Sequence, residues 1–200
     1  MITNKWLGSY EAELASVIPA ILHKGYRRII DVGCAEGWYV VGLAVRMPNT
    51  EFVAFDIDPI SRGQCRKLVR LNACSARVRF AGECTHADMN TLAGAGTLLI
   101  CDIEGFERML LDPAKAPALM QTEVLVEVHE DGADSRDLNQ LLRARFDATH
   151  RIQEIWPEDR QAWVRQNRPA VPATIDDGLL LAGVQEHRAP GNHWLWMTCR

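Results

Sequence analysis

The chain has 200 residues, of which 48% are apolar and 24% are charged, and its formal net charge is −4. This length and composition predict one globular domain with its own core, and they exclude a disordered chain. The negative charge provides no general attraction to nucleic acid or to an anionic membrane. The apolar runs are far shorter than the roughly 18 residues of a membrane span.

The six cysteines are scattered, and no two of them have the C-x-x-C spacing of a zinc or redox site. Several lie inside apolar runs, where a thiol behaves as a small apolar side chain. No signal peptide is expected at the N-terminus. Together these features predict reduced thiols in a cytoplasmic protein.

Short strand-like runs alternate with helical patterns along the chain. The predicted strands are 27–32, 51–55, 77–81, 97–101, 124–128, 148–155 and 194–199. Helices are predicted at 38–47, from 59 onward, at 105–111 and at 135–145. This alternation implies parallel pairing with right-handed crossovers, and it therefore predicts an α/β domain with a doubly wound, mostly parallel sheet.

Individual residues support several of these elements. Asp58 is expected to cap the helix that starts at Pro59, and Cys65, Leu68 and Val69 are expected to form its buried face.

Two additions to the core pattern are an N-terminal extension over 1–26, and a Pro-, Arg- and Trp-rich insertion. The extension is predicted to be helical at 10–23, and the insertion, at 157–187, to be partly helical and beside the site.

The segment 31–37, DVGCAEG, lies between the first predicted strand and the first predicted helix. Gly33 would let the backbone turn tightly and approach a ligand, and Gly37 would let the helix start close to the sheet. Asp31 would order the turn or meet a cationic group. The G-x-x-x-G spacing lacks the middle glycine of the dinucleotide fingerprint, which favours a ligand other than a pyrophosphate. The alternative is a tight turn without a ligand.

Acidic residues follow the second and third predicted strands. Asp56 comes 19 residues after Gly37, close to the interval of about 20 at which a carboxylate reaches ribose hydroxyls. Its alternative role is a helix cap, for which Asp58 is better placed. Glu83 could accept a hydrogen bond from an adenine amino group while the Cys84 amide donates to a ring nitrogen, although acids after strands are common.

Two further motifs follow the fourth and fifth predicted strands. Asp102 and Glu104 lie two residues apart, and close carboxylates need a cation, a shared proton or hydrogen-bond donors. Glu104 could instead cap the next helix. Glu127 and His129 share one face of their strand, so His129 is a candidate general base beside the acids, or else a structural histidine.

The remaining histidines and the later arginines are expected to be structural or solvated. The histidines are His86, His150, His187 and His193. Most of the arginines are expected on solvated helix faces, and a minority could meet an anionic group of the substrate. They are Arg136, Arg143, Arg145, Arg151, Arg160, Arg165 and Arg168.

The stretches IDVGCAEGWY (30–39) and VAFD (53–56) resemble class I S-adenosylmethionine-dependent methyltransferases. DIEGFE (102–107) and VEVH (126–129) resemble the FkbM-type methyltransferases, whose hallmark is a D-x-E-G-x-E stretch after the fourth strand. The resemblance covers about residues 27–130. It implies a single-domain, Rossmann-like methyltransferase fold and methylation of a hydroxyl on a small molecule, a sugar or a natural product.

The resemblance and the motifs together define the expected site. The residues expected to bind S-adenosylmethionine are Asp31, Gly33, Cys34, Glu36, Gly37, Asp56, Ile57, Glu83, Cys84 and Asp102. The residues expected to be catalytic are His129, Asp102, Glu104 and Glu127. No metal ligand is assigned, and a second version of the site places Mg²⁺ or Mn²⁺ among Asp102, Glu104 and Glu127.

Two other functions stay open at this stage. One is an NAD(P)-dependent oxidoreductase, against which stand the missing glycine and the absence of a Y-x-x-x-K motif. The other is a non-catalytic protein that binds S-adenosylmethionine. The expected partner is a small-molecule acceptor rather than a nucleic acid, and homodimerisation is left open.

Overall fold

The computed structural model describes residues 3–129, 135–172, 174–186 and 188–200, with only the backbone described at 135–137. The strands are β1 (Arg28–Val32), β2 (Glu51–Phe55), β3 (Val78–Ala81), β4 (Thr97–Cys101), β5 (Glu123–Val128), β6 (His150–Ile155) and β7 (His193–Cys199). They form one sheet in the order β3-β2-β1-β4-β5-β7-β6. Strands β1 to β5 pair in parallel, and β7 is antiparallel to both of its neighbours. The prediction of an α/β domain with a doubly wound, mostly parallel sheet is confirmed.

The helices are α1 (Thr3–Leu7), α2 (Val17–Lys24), α3 (Trp38–Arg46), α4 (Pro59–Leu71), α5 (His86–Leu92), α6 (Glu107–Leu110), α7 (Ser135–Phe146), α8 (Arg160–Asn167) and α9 (Asp177–Val184). Apolar clusters cover both faces of the sheet, with Ile29 in one cluster and its neighbour Ile30 in the other. Every residue of β4 is buried, as expected of a central parallel strand. In the described part of the chain, no helix combines the length and the apolarity that crossing a membrane requires.

Helix α4 starts as predicted. The Asp58 carboxylate accepts from the N–H groups of Ile60 and Ser61, both at 3.0 Å, and Pro59 occupies the first helical position. The predicted buried face is only partly right. Cys65 and Val69 are buried, but Leu68 is 36% exposed because the helix packs along a narrower i, i+4 row.

Three helical predictions differ from the structure. Helix α5 was not predicted, although Thr85 and Asp88 form a capping box at its start. The helix expected over 105–111 is the single turn α6. The helix expected over 10–23 begins only at Val17, after a 3₁₀ turn, because Pro19 lacks the N–H that would bond an earlier helical turn.

The N-terminal segment and the predicted insertion pack against each other. Ala12 forms a separate apolar cluster with residues of α8 and α9, which contribute Trp163, Val164, Leu180 and Val184. The two segments therefore form a common cover, defined by residues 3–16, 157–172, 174–186 and 188–192, beside the ends of β4 and β5. Of the histidines expected to be structural, His150 and His193 are buried and contact backbone carbonyls at 2.8 Å, whereas His187 lies outside the described residues.

Candidate active site

Gly33 is required by the packing of two backbones at the end of β1. Its φ is +84°, and its N–H donates to the Phe55 carbonyl at 2.9 Å. A Cβ at this position would lie 1.7 Å from the carbonyl oxygen of Asp102. The space that the sequence suggested for a ligand is thus filled by the backbone after β4, which corrects our physical reason for this glycine.

Three other residues of the DVGCAEG segment also contact other parts of the protein. The Cys34 side chain is 3% exposed and lies in the core, so only its backbone could face a ligand. At Gly37, φ is +99° and a Cβ would lie 2.6 Å from the Cys65 sulfur, so the glycine allows α3 to start against α4. Glu36 forms an ion pair with Lys5 of the N-terminal segment.

Asp31 is a buried acid on β1 whose Oδ2 has no hydrogen-bond partner among the described residues. Burial raises its pKa to about 8, and the nearby Asp102 and Asp56 charges act in the same direction. The Val40 N–H at the start of α3 opposes the shift. At neutral pH the Asp31 carboxyl is therefore largely uncharged, which does not favour its expected role as the partner of a cation.

The pKa of Asp31 predicts a pH-dependent stability. The folded state binds this proton more tightly than the unfolded chain, whose pKa is near 3.8, so the group's contribution to stability falls as pH rises toward 8. Asp31→Asn removes the titration. We expect the unfolding free energy of the variant, relative to wild type, to rise by up to about 1.4 kcal/mol per pH unit in this range. Urea unfolding at pH 5 and pH 8 measures the difference, and parallel pH profiles would contradict it.

Asp56 connects the turns that follow β1 and β2. Its Oδ2 accepts from the Ala35 N–H at 2.9 Å, and its Oδ1 accepts from the Asp58 N–H at 2.8 Å. It does not cap α4, a role that belongs to Asp58 as predicted. Each carboxylate oxygen can accept a further hydrogen bond, so Asp56 keeps the capacity to bind ligand hydroxyls.

A cavity of about 670 Å³ lies at the carboxyl ends of β1 to β4. We call it the nucleoside cavity, after the ligand that the sequence predicts there. Its volume is within the range of about 300–1,000 Å³ for small-molecule sites. The predicted cofactor residues that line it are Gly33, Asp56, Ile57, Glu83, Cys84 and Asp102. Asp31, Cys34, Glu36 and Gly37 do not line it. Phe106 and Met109, which the sequence did not indicate, give it an apolar wall.

A second cavity of about 410 Å³, which we call the acidic cavity, adjoins the first. Asp102 and Glu104 line both cavities. All four predicted catalytic residues line the acidic cavity, together with Tyr10, Glu11, Glu186 and Arg188 of the cover. Glu11 and Glu104 both have positive φ values, 49° and 53°, which are uncommon for non-glycine residues and concentrate at functional sites.

His129 is surrounded by carboxylates. Its Nδ1 lies 3.0 Å from Oε1 of the fully buried Glu107, which also accepts from the Ile103 N–H. Burial lowers the pKa of His129, but the hydrogen bond with Glu107 and the surrounding negative charges outweigh it and raise the pKa to about 9. An imidazolium cannot accept a proton, so the geometry does not support the expected role of His129 as a general base at neutral pH.

The acids around His129 hold their protons unusually tightly. Burial is the largest cause at Glu127, whose pKa rises to about 7, with the Asp102 charge adding to it. Burial also raises the pKa values of Asp102 and Glu11. Protons therefore offset part of the negative charge of the acidic cavity.

Arg188 and Arg160 join the cover to this acidic cluster. Arg188 contacts Glu11 and Glu13 at 2.9 Å, Glu186 at 3.0 Å and Glu127 at 3.2 Å. Arg160 is 8% exposed and contacts Glu186 at 2.7 Å, so it is not one of the arginines on a solvated helix face. No local pattern indicated these residues, because they come from opposite ends of the chain. Glu107, by contrast, is the last residue of the D-x-E-G-x-E stretch, so the sequence could have indicated it as a site residue.

A larger cavity of about 870 Å³ lies between the N-terminal segment and α3. It is lined mainly by apolar side chains such as Trp6, Leu22 and Val45. None of the four predicted catalytic residues lines it, so we place the chemistry in the two cavities that meet at Asp102 and Glu104.

No family model matches the sequence, and no curated protein matches it. Similar solved structures include methyltransferases. A protein assigned as an rRNA methylase from Clostridium thermocellum has a TM-score of 0.61 at 14% identity, covering 94% of this chain and 97% of that one. The O-methyltransferase TomG from Streptomyces achromogenes, solved with S-adenosylmethionine, has a TM-score of 0.54 at 15% identity, covering 68% and 69%. A protein assigned as an O-methyltransferase from Klebsiella pneumoniae has a TM-score of 0.54 at 11% identity, covering 76% and 77%. The chain therefore has the Rossmann-like fold of S-adenosylmethionine-dependent methyltransferases.

Proposed function

We propose that the protein is an S-adenosylmethionine-dependent methyltransferase that methylates a hydroxyl group on a small molecule. The observation that carries this proposal is the junction of two cavities of different character at Asp102 and Glu104. One has the lining of a nucleoside site, and the other is rich in carboxylates. The D-x-E-G-x-E stretch at this junction also supports our assignment to the FkbM-type family.

The nucleoside cavity fits the cofactor by its donor and acceptor groups. Asp56 would accept from the ribose hydroxyls, and Glu83 with the Cys84 amide would contact the adenine edge. Phe106, Met109 and the 79% exposed Ile57 provide apolar surface for the purine. When bound, S-adenosylmethionine supplies a methyl group on a sulfonium.

The turn after β1 favours this cofactor over a dinucleotide. Ala35 has a φ of 44° and lines the cavity near the position where the dinucleotide fingerprint has its middle glycine. Its Cβ occupies space that a pyrophosphate needs for close backbone approach. This supports methyl transfer over the oxidoreductase alternative.

The acidic cavity would hold the acceptor. Its volume of about 410 Å³ suits a small molecule, and the net charge of −4 does not favour RNA. Methyl transfer needs the acceptor oxygen about 3–3.5 Å from the methyl carbon, in line with the bond that breaks. In our proposal Asp102 and Glu104 orient the hydroxyl, and one of them takes its proton as the oxygen–carbon bond forms. The free thiols fit a cytoplasmic enzyme.

The cofactor assignment predicts the effect of Asp56→Ala on S-adenosylhomocysteine binding. Loss of hydrogen bonds from the ribose to a carboxylate should weaken binding by about 1.5–3 kcal/mol. Titration calorimetry of the wild type and the variant measures this directly. Unchanged affinity would remove Asp56 from the ribose site, and absence of binding by the wild type would overturn the proposed function.

Asp58→Ala is the matched control for this experiment. It also removes a carboxylate that binds backbone N–H groups at the start of α4, but Asp58 does not line the nucleoside cavity. We expect it to lower the stability, because a helix cap is lost, while leaving the affinity nearly unchanged. Equal losses of affinity in both variants would mean that the Asp56 effect comes from a loosened turn.

A further inference from the structure

The cavity of about 870 Å³ beside α3, which we call the apolar groove, runs along that helix. Trp38 at the start of α3 and Val45 in its last turn both line it, and at 1.5 Å per residue they lie roughly 10 Å apart along the helix. Leu68, in the last turn of α4, lines it too. Because α3 and α4 connect parallel strands, both helices run from the carboxyl edge of the sheet toward its amino edge. The groove therefore extends from the edge that carries the two other cavities toward the opposite edge.

The apolar side chains along this groove are exposed to water. Trp6 of α1 is 78% exposed, and Trp38, Val45 and Leu68 are exposed as well. A single exposed apolar side chain is normal in a folded protein, but these four come from three helices and line one concave surface. Contiguous apolar surface of this kind marks a binding site.

The apolar groove adjoins the acidic cavity at the N-terminal part of the cover. Lys5, Tyr10 and Glu11 line both. The Tyr10 ring contacts the Trp38 ring edge-on, with the centroids 5.3 Å apart, and the Lys5 ammonium lies 4.3 Å from the centre of the Tyr10 ring. Because this boundary includes side chains, which change rotamer readily, one elongated ligand can reach from the acidic cavity into the groove.

The walls of the groove indicate the kind of ligand that fits it. Beyond the aromatic side chains at the boundary, the walls include the aliphatic side chains of Leu22, Val45 and Leu68. The exposed Arg46 and Asn72 border the far end, so the groove opens to water there. Aliphatic walls offer apolar surface without directed hydrogen bonds, and a hydrocarbon chain gains most from such burial. The open end sets no fixed limit to the length of that chain.

We propose that the apolar groove holds the hydrocarbon chain of an acceptor whose hydroxyl lies in the acidic cavity, so that the substrate is a long-chain alcohol of lipid character. The carboxylates of the acidic cavity accept a hydrogen bond from the hydroxyl, and the groove removes the chain from water. The role of the hydroxyl as methyl acceptor rests on the proposed function, whereas the affinity of the groove for a chain does not.

The test is a calorimetric titration of the full chain at pH 7.5 with 1-hexanol, 1-octanol and 1-decanol. Each added methylene should raise the affinity about fourfold, and each step of two about 15-fold, which is the effect of burying that much apolar surface. Decyl methyl ether has the same chain without a hydroxyl donor. It should bind at least about tenfold more weakly than 1-decanol, because it cannot donate to the carboxylates of the acidic cavity.

Gly42→Trp tests whether the chain lies in the groove. Gly42 lines the groove, and a Cβ there would meet nothing within 4 Å, so the new side chain would fill the groove without disturbing α3. We expect 1-decanol to bind at least about tenfold more weakly, because two or more of its methylenes would be displaced. Gly63→Trp is the matched control, since Gly63 lies in α4, its Cβ would also meet nothing within 4 Å, and it does not line the groove. Gly63→Trp and Gly42→Ala should bind 1-decanol as the wild type does.

Affinity that does not rise with chain length in the wild type, or equal affinity for 1-decanol and decyl methyl ether, would overturn the proposal, and neither measurement depends on a variant. Unchanged 1-decanol binding by Gly42→Trp would also overturn it. A wild type that dimerises in light scattering, with a monomeric Gly42→Trp, would assign the groove to a second copy of the chain instead. A parallel titration with S-adenosylhomocysteine separates the two proposals: cofactor binding without chain-length dependence rejects the groove alone, and the reverse rejects the proposed function alone.

Discussion

Gly33→Val is expected to lower the unfolding free energy by about 2–6 kcal/mol. A Cβ at this position would lie 1.7 Å from the Asp102 carbonyl oxygen, and neither backbone can move without separating β1 from β4. Overpacking alone costs about 1–3 kcal/mol. A branched residue held at a φ of +84° adds about 1–3 kcal/mol of strain. Urea unfolding followed by circular dichroism measures the loss.

Gly42→Ala is the matched control, because Gly42 lies inside α3 and a Cβ there would meet nothing within 4 Å. Alanine is favoured over glycine in a helix by about 0.5–1 kcal/mol, so this variant should be slightly more stable than the wild type. If Gly33→Val keeps wild-type stability and loses only cofactor affinity, the space at Gly33 belongs to a ligand and our structural reason is wrong.

Arg188→Ala should cost about 3–5 kcal/mol of stability, the usual effect of removing one partner from a buried ion pair. The Arg188 side chain is 14% exposed and contacts four glutamates, of which Glu127 lies on β5 and the others on the cover. Without the guanidinium these carboxylates repel one another, and the cover should separate from the sheet. Denaturant unfolding at pH 7.5 and limited proteolysis of the cover measure the two effects.

The effect of Arg188→Ala should depend on pH. Burial raises the pKa values of Glu11 and Glu127, and a protonated carboxyl needs no cationic partner, so the loss should be smaller at pH 5 than at pH 8. Arg168→Ala is the control, because Arg168 is 52% exposed and pairs with an exposed acid; exposed pairs contribute at most about 1 kcal/mol. An equally small loss in Arg188→Ala would mean that apolar contacts alone hold the cover in place.

The sequence predicted those parts of the fold that depend on local pattern. The bounds of β2 and β4 agree with the structure because each is a short apolar run between turn residues. The acids after these strands meet because the carboxyl ends of parallel strands lie at one edge of the sheet. This is why the sequence alone could assign Asp56 and Asp102 to one site, and both line the nucleoside cavity.

What the sequence could not predict depends on contacts between distant segments. The pKa of His129 is raised by Glu127 of its own strand and by Asp102 and Glu107 of the segment after β4, whereas strand position alone suggested a neutral base. The partners of Arg188 lie near the N-terminus, on β5 and next to Arg188 itself, so no spacing rule relates them. The sequence indicated that position 33 requires a glycine, but the group that lies against Gly33 is the backbone of Asp102 and not a ligand.

The position of β7 has a consequence for how the molecule assembles. This last strand of the chain lies between β5 and β6 rather than at an edge of the sheet. Until residues 193–199 are in place, β5 and β6 each present an unpaired edge, which is the kind of surface that joins other chains. Contacts of this sequence separation form slowly, because the loop between them must close first. The chain is therefore most prone to aggregation just before β7 inserts. A truncation that removes residues 193–199 would separate β6 from the rest of the sheet, whereas loss of an edge strand would leave the other strands paired.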